Sequence, residues 1–219
     1  MSLALPALSL LETRVLGVLI EKQHTVPDAY PLTLNSLVAG CNQKSSRDPV
    51  LDAGDADVQA AVDHLRTLSL IVESSGGRVM RYAHNVERVL AVPSQSVALL
   101  AALMLRGAQT SSELRTGAER LHRFADVSSV EGFLHELASR SAGALVVELP
   151  RQPGTRETRW MHLLSGAPAL DAAPAAVAGN ELLAVSEVSA LKANLARVEE
   201  ELAALKTVVA KLCAELGIR

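Results

Sequence analysis

Six histidines (His24, His64, His84, His122, His135 and His162) and two cysteines (Cys41 and Cys213) could bind a metal or supply a nucleophile. Their spacing does not suit either task. The chain has no H-x-x-x-H, no H-E-x-x-H, and no cysteine paired with a second ligand at zinc distance. Cys41 ends a helical pattern and reads as a small buried apolar residue, since an activated thiol needs an electropositive, accessible setting. Gly76-Gly77 lacks the strand–loop–helix context of a phosphate cradle. The expectation is therefore no catalysis, no metal and no cofactor, and no small-molecule ligand is evident.

The cations offer a different chemistry. Lys44 and Arg47 stand in the polar run Cys41-Asn-Gln-Lys-Ser-Ser-Arg-Asp-Pro-Val50. Arg66 lies on a predicted helix, Arg78 and Arg81 on a predicted hairpin, and Arg120 and Arg123 ahead of another helix. Arg151, Arg156 and Arg159 cluster around a Pro153-Gly154 turn. Such residues are candidates for contact with DNA phosphates or an acidic partner. Against that stand a formal net charge of −3 and an aromatic content of 2%, too low for the stacking platforms of single-strand and RNA binders. The run from Cys41 to Val50 also has a purely architectural reading. Asn42 and Ser45 can satisfy backbone groups beyond a helix end, and Asp48-Pro49 enforces an extended turn.

The elements that must position these residues are legible in the hydrophobic pattern. Ser9-Leu-Leu-Glu12 has the form of a capping box, followed by the apolar stripe Val15, Leu16, Leu19 and Ile20. A second helix is expected from about Thr33 to Cys41. A third, Asp55 to Leu68, carries Val58, Ala61, Val62 and Leu65 inward and Gln59, Asp63, His64, Arg66 and Thr67 outward. Leu70-Ile71-Val72 and Val79 to Ala83 flank Gly76-Gly77 as a β-hairpin. The order then repeats. Ser96 to Arg106 is helical with Gly107 at its end. Thr110-Ser-Ser-Glu113 and Ser128-Ser-Val-Glu131 are capping boxes opening two more helices, the latter burying Phe133, Leu134 and Leu137. Leu145 to Leu149 and Trp160 to Leu164 form a second hairpin.

Three helices and a hairpin, twice, predict a mainly α chain with small β-hairpins (α+β), arranged as two tandem winged-helix domains. The boundaries are 1–92 and 93–166, with an Ala/Pro linker at 167–179. Residues 180–219 change texture. Val188, Leu191, Leu195, Val198, Leu202, Leu205, Val209, Leu212 and Leu216 alternate by three and four, the a/d seam of a coiled coil. That seam predicts a homodimer, with Glu187–Lys192′ and Glu201–Lys206′ as attractive flanking pairs. The alternative is a helix folded back on its own winged helices.

The stretch from Val26-Pro-Asp-Ala-Tyr-Pro-Leu-Thr-Leu-Asn to Cys41-Asn-Gln-Lys-Ser-Ser-Arg-Asp-Pro-Val50 resembles the signature of the YceH-like bacterial proteins. Leu105 to Thr116, Arg120 to Val127, Leu149 to Gly154 and His162 to Gly166 agree with it. The resemblance spans about Leu11 to Gly166 and implies two winged-helix domains without implying an activity. Val26 stands where threonine is usual, and Gly54 where a serine cap would be expected; glycine still serves as a cap.

In a winged helix the third helix meets DNA, yet the outward face of Asp55–Leu68 is acidic, with Asp55 and Asp57 in its first turn. The second such helix offers Glu131, His135 and Glu136. Phosphate contact therefore falls to the loop and wing arginines. Residues 93–166 hold eight arginines against seven acids, so the basic residues there are bunched rather than in excess. Their bland role is pairing with Glu148 and Glu157 on a solvated hairpin. The leading expectation is a dimeric DNA-binding regulator. The alternative is a protein-interaction adaptor that binds no nucleic acid. The opening MSLALPALSLLETR lacks the basic start and cleavage site of a secretory signal, and no apolar run reaches membrane length, so a cytoplasmic protein is expected.

Overall fold

The computed structural model describes residues 5–74, 79–152, 154–155 and 157–167. Gly76-Gly77, Arg78, Pro153, Arg156, all but the first residue of the Ala/Pro linker, and the whole heptad seam from Val188 to Leu216 lie outside them. The described residues form a mixed α+β structure. Its first half runs α1 (Leu10–Thr25), β1 (Leu32–Thr33), α2 (Leu34–Cys41), α3 (Asp55–Thr67), β2 (Ile71–Ser74) and β3 (Arg81–His84). A five-residue helix, α4 (Val86–Leu90), leads into the second half: α5 (Ser94–Arg106), α6 (Ser111–Ala118), α7 (Val127–Ala138), β4 (Val146–Leu149) and β5 (Arg159–His162).

Helix starts follow side-chain chemistry closely. The Ser9 hydroxyl accepts the Glu12 N–H at 3.2 Å, and the Glu12 carboxylate accepts the Ser9 N–H at 2.6 Å, so α1 opens on the expected box. Thr110 and Glu113 repeat the arrangement at α6. Gly54 caps α3 through its backbone, with Asp57 accepting its N–H at 3.2 Å. One start differs from expectation. The cap of α7 is Asp126, whose carboxylate accepts the Ser129 N–H at 2.7 Å, and Ser128 already lies inside the helix. An ionised carboxylate accepts that N–H more strongly than a hydroxyl does, and it favours the positive end of the helix dipole.

Both halves build the same hydrogen-bonded corner. In β3 the run Arg81-Tyr-Ala-His84 pairs antiparallel with Ile71-Val-Glu-Ser74. In β5 the run Arg159-Trp-Met-His162 pairs in the same register with Val146-Val-Glu-Leu149. The aromatic of each run, Tyr82 or Trp160, is buried. Each also lies opposite the residue that precedes a threonine cap: Leu32 opposite Tyr82, and Gln109 opposite Trp160. Leu32–Thr33 thus completes a three-stranded sheet ordered β1-β3-β2, whereas the second half keeps a two-stranded sheet and a single bridge.

The halves share one apolar core. Helix α1 packs against α2, α3 and α5, so its burial exceeds the predicted single stripe and takes in Thr13, Arg14, Gly17 and Val18. Small residues allow the close crossings. A Cβ at Gly17 would lie 2.9 Å from Leu105 of α5, and one at Gly40 only 2.5 Å from Val18. Gly107 takes φ +72° where α5 stops, a conformation that favours glycine.

Candidate functional site

The run from Cys41 to Val50 joins α2 to α3, and it is held from several sides. Asn42 clamps the far end of the loop: its amide donates to the Ala53 carbonyl at 2.9 Å and accepts the Ala53 N–H at 2.8 Å. The Asp48 N–H donates to Leu105 O of α5 at 2.8 Å, tying the loop to the second half. Two guanidinium groups complete the anchorage. Arg14, fully buried, donates to Cys41 O at 3.1 Å and to Pro49 O at 2.6 Å. Arg47 donates to Gly40 O at 3.1 Å and reaches both carboxylate oxygens of Glu21, at 3.2 and 2.6 Å.

Lys44 and Arg47 are therefore not a pair. Lys44 is exposed, whereas the Arg47 side chain has no exposure at all and belongs to the core. Arg47 is corrected from a contact candidate to a structural residue, because a partner could reach it only by breaking the Glu21 ion pair. Burial pushes the Glu21 carboxyl up, but Arg47 outweighs it and holds the group below its ordinary value. Burial and the neighbouring Arg47 both lower the Arg14 pKa. Burial also raises Cys41 to about 11, which leaves it a neutral thiol as expected.

The remaining candidates divide by what they touch. Arg66 on α3 pairs with Glu73 of β2 and approaches Asp63 at 3.9 Å. Arg81 donates to Pro31 O at 2.8 Å and to Ala29 O at 3.3 Å, fastening the segment ahead of β1. Arg159 does the equivalent work in the second half, donating to Ala108 O at 3.4 Å, and lies 3.8 Å from Glu113. The pairing of hairpin arginines with Glu148 is not found among the described residues, where Glu148 instead accepts from Thr158. Arg120, Arg123 and Arg151 are exposed, and none has a hydrogen-bond or ion-pair partner among the described residues.

The outward face of α3 is as acidic as expected. Gln59 donates to Asp63 at 3.0 Å and accepts the Tyr82 hydroxyl at 3.2 Å. His64 reaches back to Glu12 of α1. Burial pushes the Glu12 carboxyl up, while the Ser9 N–H and His64 more than offset it and leave it lowered. His84 and His162, which end the two matching strands, are both lowered to about 4 by burial, with His24 adding to the effect at His84. Among the described residues no group of three or more His, Cys, Asp or Glu is placed to hold a metal, and no helix is long and apolar enough to cross a membrane.

Arg14, Glu21 and Arg106 were not among the residues singled out by pattern. Arg14, Gly17 and Val18 lie at i, i+3 and i+4 on a second buried face of α1, with partly exposed Glu21 at i+7. Its glycine is the signal of close approach that could have revealed it. Arg106 ends α5 and lines a cleft of about 380 Å³ together with Glu21, Lys22 and Arg120.

The family model described as "Protein of unknown function, DUF480" matches residues 8–155. A UPF0502 protein of Methylibium petroleiphilum is 57% identical over 98% of this chain and 92% of its own length. One from Dechloromonas aromatica is 54% identical, over 93% and 95% respectively. One from Burkholderia thailandensis is 57% identical, over 98% and 92%. The YceH-like resemblance read from the motifs is upheld at this level.

Proposed function

From the premise that the chain belongs to the DUF480 (UPF0502) family of bacterial proteins of unknown function, we propose a tandem winged-helix regulator that contacts DNA phosphates through its second half. Each half then supplies a winged helix, β2–β3 and β4–β5 serve as wings, and the C-terminal heptads pair two chains in the cytoplasm. No catalytic step is part of this reading.

One observation carries the assignment to the second half. Of the candidate cations, those of the first half are largely engaged internally, Arg47 with Glu21, Arg66 with Glu73 and Arg81 with two carbonyls. Arg123 between α6 and α7, and Arg151 beyond β4, keep exposed guanidinium groups with no partner among the described residues. A free guanidinium can neutralise a phosphate and release its counterion; one already paired gains much less.

The test is duplex-DNA affinity measured against salt. Two lost phosphate contacts in Arg123→Gln/Arg151→Gln should flatten the log–log salt slope by about 2, at ~0.9 per contact. A wild-type protein that fails to bind duplex even at low salt would end the proposal.

A second reading is favoured by one specific feature. Val72, Val79 and Met80 of the first hairpin are all more than two-fifths exposed, beside an acidic α3 face. Apolar side chains next to acids suit a protein partner better than a phosphate backbone. In that reading the chain is an adaptor, and the duplex experiment returns no binding for wild type and variant alike.

A further inference from the structure

The cleft of about 380 Å³ lies where the Cys41–Val50 loop and the end of α1 face α5 and α6. Its charges are unbalanced. Lys22, Arg106 and Arg120 line it, with Glu21 as its carboxylate. That carboxylate is already committed to buried Arg47 at 2.6 Å, with Lys22 at 3.4 Å. Arg106 is half-buried, yet it has no hydrogen-bond or ion-pair partner among the described residues. A partly desolvated guanidinium without a counter-charge is costly, and in a chain of net charge −3 nothing in the composition calls for such a cluster. The neighbouring helix leaves room for it. A Cβ at Gly117 would sit 3.3 Å from Arg106 Nη1, so a side chain there would crowd the guanidinium. Ser45 and Ser46 add hydroxyl groups from the loop wall.

We propose that this cleft binds a small ligand bearing a dianionic phosphate group, held by Arg106, Arg120 and Lys22, with the Ser45 and Ser46 hydroxyls on its oxygens. Guanidinium forks match phosphate oxygens in geometry as well as charge. The ligand would bridge the loop of the first half and the helices of the second, so binding would stabilise their junction. The site is independent of DNA contact through Arg123 and Arg151, neither of which lines the cleft.

The experiment titrates the full chain with inorganic phosphate and with pyrophosphate at ionic strength held constant by chloride, following the thermal midpoint. Wild type should show a saturable rise. Arg106→Gln/Arg120→Gln should need about tenfold more anion for the same rise, the loss of one charge-assisted contact or more. Arg123→Gln/Arg151→Gln should respond as wild type. No saturable rise in wild type, or an unchanged response in the cleft variant, overturns the proposal. Should the double variant not fold, Arg120→Gln decides the matter, since that side chain is exposed and holds nothing in place. An undiminished response from it counts against the site, and a weakened one supports it.

Discussion

The two halves share an order of elements and a strand register, but they use their charges in opposite ways. The first half turns Arg14 and Arg47 inward and fastens its α2–α3 loop with them. The second half packs Val97 to Leu105 as an almost unbroken apolar helix and leaves Arg120, Arg123 and Arg151 outside. A given side-chain type therefore has no fixed role in this fold. What decides it is whether a loop of many residues must be anchored between the second and third helices. The first half has thirteen residues between α2 and α3 that bring their own unpaired carbonyls, and buried donors answer them. In the second half the shorter connection from Ala118 to Val127 is met by Arg115, which donates to Ala125 O from the surface.

The sharpest way to break that contrast is at Arg47. Truncation leaves the Glu21 carboxylate, 17% exposed, without its main counter-charge, and removes the donor to Gly40 O. Arg47→Ala should cost about 3–5 kcal/mol, the range for removing one partner of a buried pair. Lys44→Ala, three residues away and exposed, should stay within about 0.5 kcal/mol. Urea denaturation of both variants measures this. Equal effects would mean that the loop is held by its backbone and that burial of Arg47 contributes little.

Which parts of this architecture pattern alone could reveal follows from the length scale of each signal. Capping boxes at Ser9 and Thr110 were legible because both partners lie three residues apart. The inward set Val58, Ala61, Val62 and Leu65 was legible because one helical period states it completely. Strand β1 was not, since two residues carry no period and its existence depends on Tyr82, fifty positions away. Helix α4 is similarly short. Burial of Arg14 and Arg47 was hidden for a different reason. A charged residue is normally read as outward, and only the carbonyls of Cys41, Pro49 and Gly40, gathered by tertiary structure, reverse that. At α7 the cap lies two residues before the expected Ser128, because the carboxylate of Asp126 takes the Ser129 N–H.

The matching histidines allow a finer comparison. His162 is 8% exposed, and burial lowers its pKa to about 4 from an ordinary 6.5. The unfolded chain therefore takes up a proton below pH 6.5 that the folded one refuses until about pH 4. Stability from this group is intact above pH 6.5 and falls as the pH drops through that window, by about 3 kcal/mol in all. His162→Phe should remove that share of the loss between pH 7 and pH 4. Nδ1 of His162 is buried without a partner, so the replacement orphans nothing at that atom. His84 carries the same lowered value of about 4, so its substitution should flatten the profile by a similar amount, but it also removes the bond to Gln23 at 2.5 Å and should lower stability at both pH values. Urea midpoints at the two pH values separate the cases. A profile unchanged in His162→Phe would mean that burial of this ring carries no pH-dependent stability, since the lowered carboxyls of Glu12 and Glu21 act below this window.

The smallest effect tests whether the two threonine caps are equivalent. Thr110 has a reciprocal box: its hydroxyl accepts the Glu113 N–H at 3.2 Å, and the Glu113 carboxylate accepts the Thr110 N–H at 2.9 Å. Thr33 accepts the Ser36 N–H at 3.3 Å and meets the Ser36 hydroxyl at 3.0 Å, but serine is too short to reach back to the cap. Gln109 and Trp160 exchange both ladder bonds, at 3.1 and 2.7 Å. In an antiparallel ladder the residue beside such a pair points its N–H away from the partner strand, which frees Thr110 for Glu113. Leu32 and Tyr82 occupy the matching positions, so Thr33 should present a free N–H as well. Ser36→Glu would then complete the box on α2, with its carboxylate also favoured by the helix N-terminus. The gain should be about 0.5 kcal/mol in urea denaturation. No gain would show that the three-stranded sheet of the first half already uses the Thr33 N–H, and that the two corners share a register without sharing their hydrogen bonds.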